Sequence, residues 1–407
     1  MKTVFVLVDA LKSLYLTEEN MPFLYELSNR AYYIRNIIPC AGFCERSEIF
    51  TGLDGYDTGN FTAIGYIPEN SPYRKDERLL RCFNFIEKVN GRISGRIFPR
   101  WRIKKHKTLS RYRIPYTSLS NFALTEDGNR QFTEYSTLFD VLNKEKKTYT
   151  LNAFTSLSDL APRLKMSLDD FAKREMEAGT FFIPLYIGVI DSMGHKYGAV
   201  MNSIRPYLQD VDTQLKRIYD YASSRGYSFA VMGDHGMVPV TRRIDVKSLI
   251  KILRLKLGKD YEVFYDSTMV RFWFYNTKAE IKVRELLNER LYSTGFIVDQ
   301  SNYNKYRIPL DVYSTTGKPV YGDLVWCANP GVLVSPDYFH SSKESENGMH
   351  GYIEVVEGHS TGLFVADSPL LGKEIKDNGH SSEVCGLLSK MLEVEMPNNS
   401  SWSRKIK

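Results

Sequence analysis

Short, uninterrupted apolar runs that each lead into an acidic side chain dominate the hydrophobic pattern of this chain. Three such runs are residues 4–8 before Asp9, residues 181–190 before Asp191, and residues 227–232 before Gly233 and Asp234. Runs of strand length without polar alternation are typical of strands buried on both faces of a parallel sheet. Open α/β sheets bind ligands at the carboxyl ends of their strands. We therefore predict that these three strand ends carry the functional groups.

Amphipathic segments with helical spacing separate and follow these runs. They lie at residues 18–30, 136–144, 167–178, 200–225 and 384–392. We also expect a strand at residues 147–152 and a return of the chain to the main sheet at residues 331–334. Strands alternating with helices are the signature of an α/β fold. We expect an α/β fold with a mostly parallel central sheet flanked by helices.

The pattern changes twice along the chain, and these changes predict the domain organisation. Residues 242–338 mix amphipathic strands with one helix and indicate a smaller α+β cap (the cap). Residues 72–135 are rich in polar residues, glycine and aromatics, so we expect an insertion made of long loops with one or two short helices (the basic insertion). The core then comprises residues 1–241 and 339–397, and a polar tail occupies residues 398–407.

Composition excludes several protein classes. The 407 residues are 43% hydrophobic and 25% charged, which is ordinary for a globular protein and excludes a wholly disordered chain. No apolar run reaches the roughly 18–20 residues of a membrane-spanning helix. The first residues do not resemble a secretory signal peptide, and the five cysteines are sparse and lack CxxC pairs. We expect a reduced, cytoplasmic protein.

The positive charge is concentrated in one segment. The net charge is +6, but residues 73–116 hold 14 Lys and Arg against 3 Asp and Glu. Cations alternate there with Phe98, Trp101 and Ile103. An anionic membrane surface bound through residues 92–113 would suit this composition, and we rank nucleic acid second. The alternative is a solvated surface loop.

Acid and imidazole groups recur at the predicted strand ends and in one late turn. They are Asp9, Asp191, His195, Asp234, His235 and His350. Singly, such an Asp could be a helix N-cap and an Asp-His-Gly sequence a simple turn. Together these residue types suit Zn²⁺ or Mn²⁺. Their convergence would create a two-metal site able to clamp a phosphoryl group.

The order of these motifs resembles a known family. The matching stretches are VLVD at 6–9, FTGL at 50–53, DSMGHKYG at 191–198, GDHGM at 233–237 and MHGY at 349–352. This set resembles the alkaline phosphatase superfamily, and within it the nucleotide pyrophosphatase/phosphodiesterase branch. The resemblance covers the core and leaves out the basic insertion.

The resemblance implies a cofactor, a ligand set and an activity. Two divalent metals, Zn²⁺ before Mn²⁺, would be held by two sets of three residues, namely Asp191, His195 and His350, and Asp9, Asp234 and His235. The implied activity is hydrolysis of a phosphodiester or phosphoanhydride in a small-molecule or lipid-linked substrate. In such enzymes a Thr, Ser or modified Cys at a helix N-terminus attacks phosphorus.

The nucleophile is where this sequence departs from the branch. Aligned on Thr51 and Gly52, the nucleophile position falls on Gly42, which has no side chain. Cys44 begins the following helix, whose dipole would stabilise a thiolate. Three readings stay open: attack by Cys44, direct attack by metal-activated water, or a catalytically silent protein that binds metal and phosphate. The CxPxR and CxSxR settings of sulfatases are missing. Asn60 resembles the phosphate-contacting Asn of the branch.

Overall fold

The structure is a computed structural model that describes residues 1–39, 45–89, 91–125, 135–151, 166–198, 200–340 and 346–398, without the side chains of residues 45 and 91–97. In chain order its strands are β1 (Thr3–Val8), β2 (Tyr32–Ile38), β3 (Ile64–Tyr66), β4 (Phe122–Leu124), β5 (Phe182–Ile187), β6 (Ser228–Gly233), β7 (Val238–Pro239), β8 (Arg242–Ile244), β9 (Tyr261–Tyr265), β10 (Met269–Phe274), β11 (Gly295–Asp299), β12 (Leu324–Ala328), β13 (Val332–Val334), β14 (Gly348–Met349), β15 (Gly362–Asp367) and β16 (Ile375–His380).

The α-helices of the described residues, also in chain order, are α1 (Pro22–Arg30), α2 (Glu45–Thr51), α3 (Gly55–Thr58), α4 (Glu77–Val89), α5 (Gly91–Lys105), α6 (Leu138–Lys144), α7 (Leu168–Glu177), α8 (Val189–Tyr197), α9 (Met201–Ser224), α10 (Val246–Ile252), α11 (Thr277–Leu291) and α12 (Glu383–Leu392).

A six-stranded central sheet with the order β16-β2-β15-β6-β1-β5 organises the core. β1 pairs in parallel with both β5 and β6, and β15 is the antiparallel member. Side chains of β1 alternate between two hydrophobic layers. Val4 and Val6 pack with α1, α7 and α9, whereas Phe5 and Leu7 pack with α2, α6 and α12. The predicted α/β fold with a mostly parallel, helix-flanked sheet is confirmed.

Several predicted elements are corrected. The strand expected at 181–190 ends at Ile187, because α8 begins at Val189 and takes Asp191 into its first turn. The strand expected from residue 147 is reduced, among the described residues, to one bridge between Tyr149 and Phe182. Residues 331–334 do not return to the central sheet, since β13 pairs with β8. Helix 18–30 starts at Pro22, which suits the first helical position.

The basic insertion is more helical than expected. α4 and α5 span 13 and 15 residues. Tyr73, Leu80 and Phe98 belong to the same hydrophobic cluster as Trp273 of the cap, whose sheet has the order β11-β12-β10-β9. The insertion therefore packs against the cap and is not a solvated loop. The domain boundaries given above stay a prediction.

A buried cation joins the segment around β3, which precedes the basic insertion, to the cap sheet. Arg271 on β10 pairs with Asp266 at 2.8 Å, and its Nη1 donates to Thr62 Oγ1 at 2.8 Å and to the Ile64 carbonyl at 2.7 Å. A charge with 0% exposure is tolerated because every one of these partners is fixed.

In the described part of the chain, no helix combines the length and the apolar character that crossing a membrane requires.

Phe98 and Phe85 form a matched pair for testing this packing. Phe98 is 4% exposed and stacks on Phe83 at a centroid distance of 3.9 Å, whereas Phe85 is 67% exposed. We expect Phe98→Ala to lower the free energy of unfolding by about 3–5 kcal/mol, as for other buried phenylalanines. Phe85→Ala should change it by less than about 0.5 kcal/mol. Urea denaturation measures both, and equal effects would contradict the packing of α5 onto the cap.

Candidate metal centre

Two neighbouring strands place a pair of aspartates side by side. Asp9 follows β1 and Asp234 follows β6, and these strands are adjacent and parallel. Asp234 Oδ1 accepts hydrogen bonds from the backbone N–H of Ala10 at 3.2 Å and of His235 at 3.0 Å. A Cβ atom on Gly233 would lie 1.8 Å from the Leu11 carbonyl, so the close approach of the two strand ends requires glycine there.

Helix α8 supplies a second acid and an imidazole from one face. Asp191 and His195 are four residues apart, and His195 Nε2 lies 3.2 Å from Asp191 Oδ1. His195 Nδ1 lies 3.0 Å from the Gly348 carbonyl. Because a carbonyl can only accept, this contact requires a proton on Nδ1. In the neutral ring this leaves the lone pair on Nε2, the form in which imidazole binds metal.

Two further imidazoles complete the cluster. His235 Nδ1 lies 2.8 Å from the Gly236 carbonyl, and its Nε2 lies 3.0 Å from Asp9 Oδ1. His350 Nε2 lies 3.5 Å from Asp191 Oδ1. The rings of His235 and His350 stack at a centroid distance of 3.8 Å. Burial and the neighbouring imidazoles hold the pKa of His350 well below its ordinary value, so this ring is neutral.

These residues form two adjoining groups of metal-ligand atoms, each within 4.8 Å. One group is Asp9, Asp234 and His235, and the other is Asp191, His235 and His350. His235 is common to both, and His195 adjoins the second through Asp191. The six predicted ligands are thus brought together at the carboxyl edge of the sheet. Their division between two metals, in which the resemblance placed His195 rather than His235 with Asp191, stays a prediction.

Unsatisfied oxygens show that this cluster suits cations. Asp9 Oδ1 and Asp191 Oδ1 are buried and accept no hydrogen bond from the described residues. A buried carboxylate oxygen without a donor is costly unless a positive charge faces it. Imidazole lone pairs and carboxylate oxygens together form the donor set that Zn²⁺ and Mn²⁺ accept. The residues present therefore fit a pair of divalent metals.

The pKa values of the paired aspartates diverge. Burial and the charge of Asp9 raise the pKa of Asp234 to about 7. Burial also acts upward on the pKa of Asp9, but the close approach of the His235 imidazole, together with a hydrogen bond from Tyr186, holds it below its ordinary value. Without a cation the two carboxylates resist ionising together.

Two residues of this neighbourhood were not predicted from the sequence. Tyr186 on β5 binds Asp9 through its hydroxyl group. The Arg46 guanidinium, in the first turn of α2, lies 5.2 Å from the Tyr186 ring centre, and its charge lowers the pKa of both Asp9 and Asp234. A tyrosine inside an otherwise apolar strand was the available signal for Tyr186. No motif singled out Arg46.

A carboxylate–imidazole pair at the boundary between the cap and the second part of the core borders the centre. His340 Nδ1 lies 2.9 Å from Asp337 Oδ2, and its ring centre is 6.4 Å from that of His195. This pair follows β13, outside every motif that the sequence offered. It brings the cap to the rim of the metal centre.

The remaining predicted site residues are placed as follows. Cys44 and Gly42 lie outside the described residues, as does Cys40, the second cysteine that flanks Gly42. Asn60 follows α3 and is buried, and its Nδ2 donates to no acceptor among the described residues. A buried amide with unused donors is poised for a ligand or an ordered water.

Comparisons with known proteins identify the family and the fold. A family model described as type I phosphodiesterase/nucleotide pyrophosphatase matches residues 3–353. The fold resembles human ectonucleotide pyrophosphatase/phosphodiesterase 5, with a TM-score of 0.69 at 14% identity, covering 99% of this chain and 98% of that one. An inactive variant of the murine protein in complex with AMP gives a TM-score of 0.66 at 14% identity, covering 100% and 99%.

Metal binding should depend on pH through Asp234. Because ligation requires the carboxylate, a proton must leave Asp234 below its pKa of about 7 before a metal can bind. His195, whose pKa is raised by Asp191 against the effect of burial, loses a proton as well. We expect two Zn²⁺ per chain at neutral pH and an affinity that falls about tenfold or more for each pH unit below 7.

Calorimetric titration with Zn²⁺ at several pH values measures both quantities. Asp234→Asn should lose at least one metal, and Asp220→Asn on the exposed face of α9 is the control. An affinity independent of pH, or no bound metal at all, would contradict the assignment of these ligands.

Proposed function

The chain belongs to the type I phosphodiesterase/nucleotide pyrophosphatase family, and we propose that it is a two-metal phosphoesterase that hydrolyses a phosphodiester or a phosphoanhydride. The observation that carries the proposal is the convergence of three carboxylates and three imidazoles at the carboxyl edge of the sheet, with buried oxygens on Asp9 and Asp191 that accept no hydrogen bond from the described residues.

The proposed substrate is a small-molecule or lipid-linked phosphoester. A nucleotide is compatible with the family and with the AMP complex of the murine protein. We also propose a cytoplasmic location, on the sparse and unpaired pattern of cysteines. Contact of residues 92–113 with an anionic partner is likewise a proposal, with a membrane surface preferred to nucleic acid.

The ligand residues would hold Zn²⁺ or Mn²⁺ as the resemblance implies, with Asp9, Asp234 and His235 on one side and Asp191, His195 and His350 on the other. Metals held here would polarise the phosphoryl oxygens and activate the attacking group. Tyr186 fixes the orientation of Asp9 through its hydrogen bond.

We assign the orientation of the phosphoryl group to Arg46 and Asn60. Arg46 is close enough to lower the pKa of both paired aspartates, so its cation can also attract a phosphoryl oxygen. Asn60 has buried amide donors to offer. Fixed donors aimed at the charge that develops on phosphorus accelerate such reactions.

A second candidate function follows from Gly42. If neither Cys44 nor activated water attacks, the same pocket would bind metal and phosphate without turnover. The metal centre and the phosphate donors would be unchanged in that case, so turnover alone separates the two functions.

Turnover of bis(4-nitrophenyl) phosphate with Zn²⁺ or Mn²⁺ tests the proposed activity. We expect hydrolysis that Asp234→Asn abolishes and that Asn60→Ala slows about 100-fold in kcat/KM, as for loss of one fixed donor. Asn29→Ala on the exposed face of α1 is the control, and its kcat/KM should match that of the wild type. Absence of turnover in a protein shown to bind two metals would favour the silent binding protein.

The two cysteines near Gly42 give a matched test of the nucleophile. We expect Cys44→Ser to reduce kcat more than Cys40→Ser, because Cys44 precedes α2 directly and a thiolate there is stabilised by the helix dipole. Rates with both variants are measured at saturating metal. Equal, near-wild-type rates would instead indicate attack by activated water.

A further inference from the structure

We propose that the outer face of α4 docks this protein onto an anionic lipid bilayer. The face is formed by Cys82, Phe85 and Val89 together with Arg78 (the α4 stripe). These positions are spaced i, i+4, i+7 and i+11, so they line one side of the helix. Phe85 and Val89 are 67% and 70% exposed. The docking does not depend on the proposed catalytic activity, since binding to vesicles requires no turnover.

The opposite face of α4 already has its partner inside the protein. Leu80 is buried, and Phe83 and Ile86 pack against the same hydrophobic cluster. The helix has therefore satisfied its structural role with one face, and the large apolar side chains of the α4 stripe add nothing to that packing. Single exposed apolar residues are common on protein surfaces. Two large ones on one helix face, with the exposed Cys82 beside them, form an apolar patch that is available to a partner.

The charges around the stripe identify the chemistry of that partner. Arg81 and Lys88 lie on α4 beside the stripe, and exposed acids on α4 are confined to Glu77 and Glu87. Among the described side chains of residues 73–116, eleven exposed cations are present: Arg74, Lys75, Arg78, Arg81, Lys88, Arg100, Lys104, Lys105, Lys107, Arg111 and Arg113. An apolar helix face bordered by Lys and Arg is typical of helices that lie in the interface of an anionic bilayer.

Helix α5 adds to this surface because it runs antiparallel to α4. Lys105, at the end of α5, pairs with Asp76 just before α4 at 2.7 Å, and Phe98 stacks on Phe83 in the middle. The cations of α5 therefore lie alongside α4 over its whole length.

The same packing indicates that the apolar residues which insert into the bilayer belong to α4 and not to the segment 92–113. Phe98 is buried, and Trp101 is half-buried with its ring 5.6 Å from that of Tyr73 and 5.0 Å from that of Phe83. Single-stranded nucleic acid binds to exposed aromatic platforms, and these rings are turned inward. A bilayer needs only one or two inserted apolar side chains and a field of cations, which the α4 stripe supplies.

Co-sedimentation with vesicles of phosphatidylcholine, with and without phosphatidylglycerol, tests the proposal. We expect the full chain to bind the anionic vesicles at low salt, to bind them weakly at high salt, and to leave the neutral vesicles unbound. Each cation near the surface contributes about fivefold to binding. Arg81→Ser/Lys88→Ser should therefore weaken binding by about 25-fold, and Phe85→Ser/Val89→Ser by about tenfold or more.

The matched control is the double variant Ile281→Ser on α11 and Tyr292→Ser directly after it, whose side chains are also exposed but lie among mixed charges. It should bind like the wild type, and all variants should keep the wild-type unfolding midpoint and soluble-diester turnover. Equal binding of the wild type and the Phe85/Val89 variant, or no binding to anionic vesicles, would overturn the proposal. Single-stranded DNA binding without vesicle binding, or a dimer in light scattering that the Phe85/Val89 variant dissociates, would also overturn it.

Discussion

Two carboxylates held side by side in a buried place are the constraint on which the rest of this structure depends. Asp9 and Asp234 leave adjacent parallel strands at the same level, so the sheet itself sets their separation. Burial and mutual repulsion raise the pKa of Asp234 to about 7. A sheet that brings like charges together at its edge is stable in the ionised form only when a cation joins them.

The surrounding elements serve to hold these groups within reach of a cation. Gly233 lets the chain of β6 pass close to the backbone at Leu11, where any Cβ would clash. The Gly348 and Gly236 carbonyls each fix one imidazole in the tautomer that presents Nε2. Asp337 at the end of the cap holds His340, which lies beside His195, so the core and the cap both contribute to the rim of one site.

Sequence reasoning succeeded where a local pattern had one physical cause. The apolar run before Asp9 predicted a strand buried on both faces. Its side chains alternate between two hydrophobic layers, so every position of the strand has to be apolar. It failed where tertiary packing decided the outcome. Helix α5 was not recognised in the sequence because it contains Gly91, Gly95 and Pro99, and these residue types ordinarily weaken or break helices. The edge strand β16 is largely polar and carries no apolar run, and Arg46 contributes through its position in space alone.

Charge balance links the metal centre to the identity of the nucleophile. The six ligands carry three carboxylates, so two divalent cations would leave the centre with a net charge of about +1 before Arg46 is counted. A thiolate from Cys44 would cancel that charge, whereas the Gly42 position contributes none. If the thiolate does not enter the centre, the positive charge stays available to a bound phosphodiester anion. The centre would then hold its anionic ligand more strongly in the ground state, and only interactions that strengthen in the transition state would convert that binding into turnover.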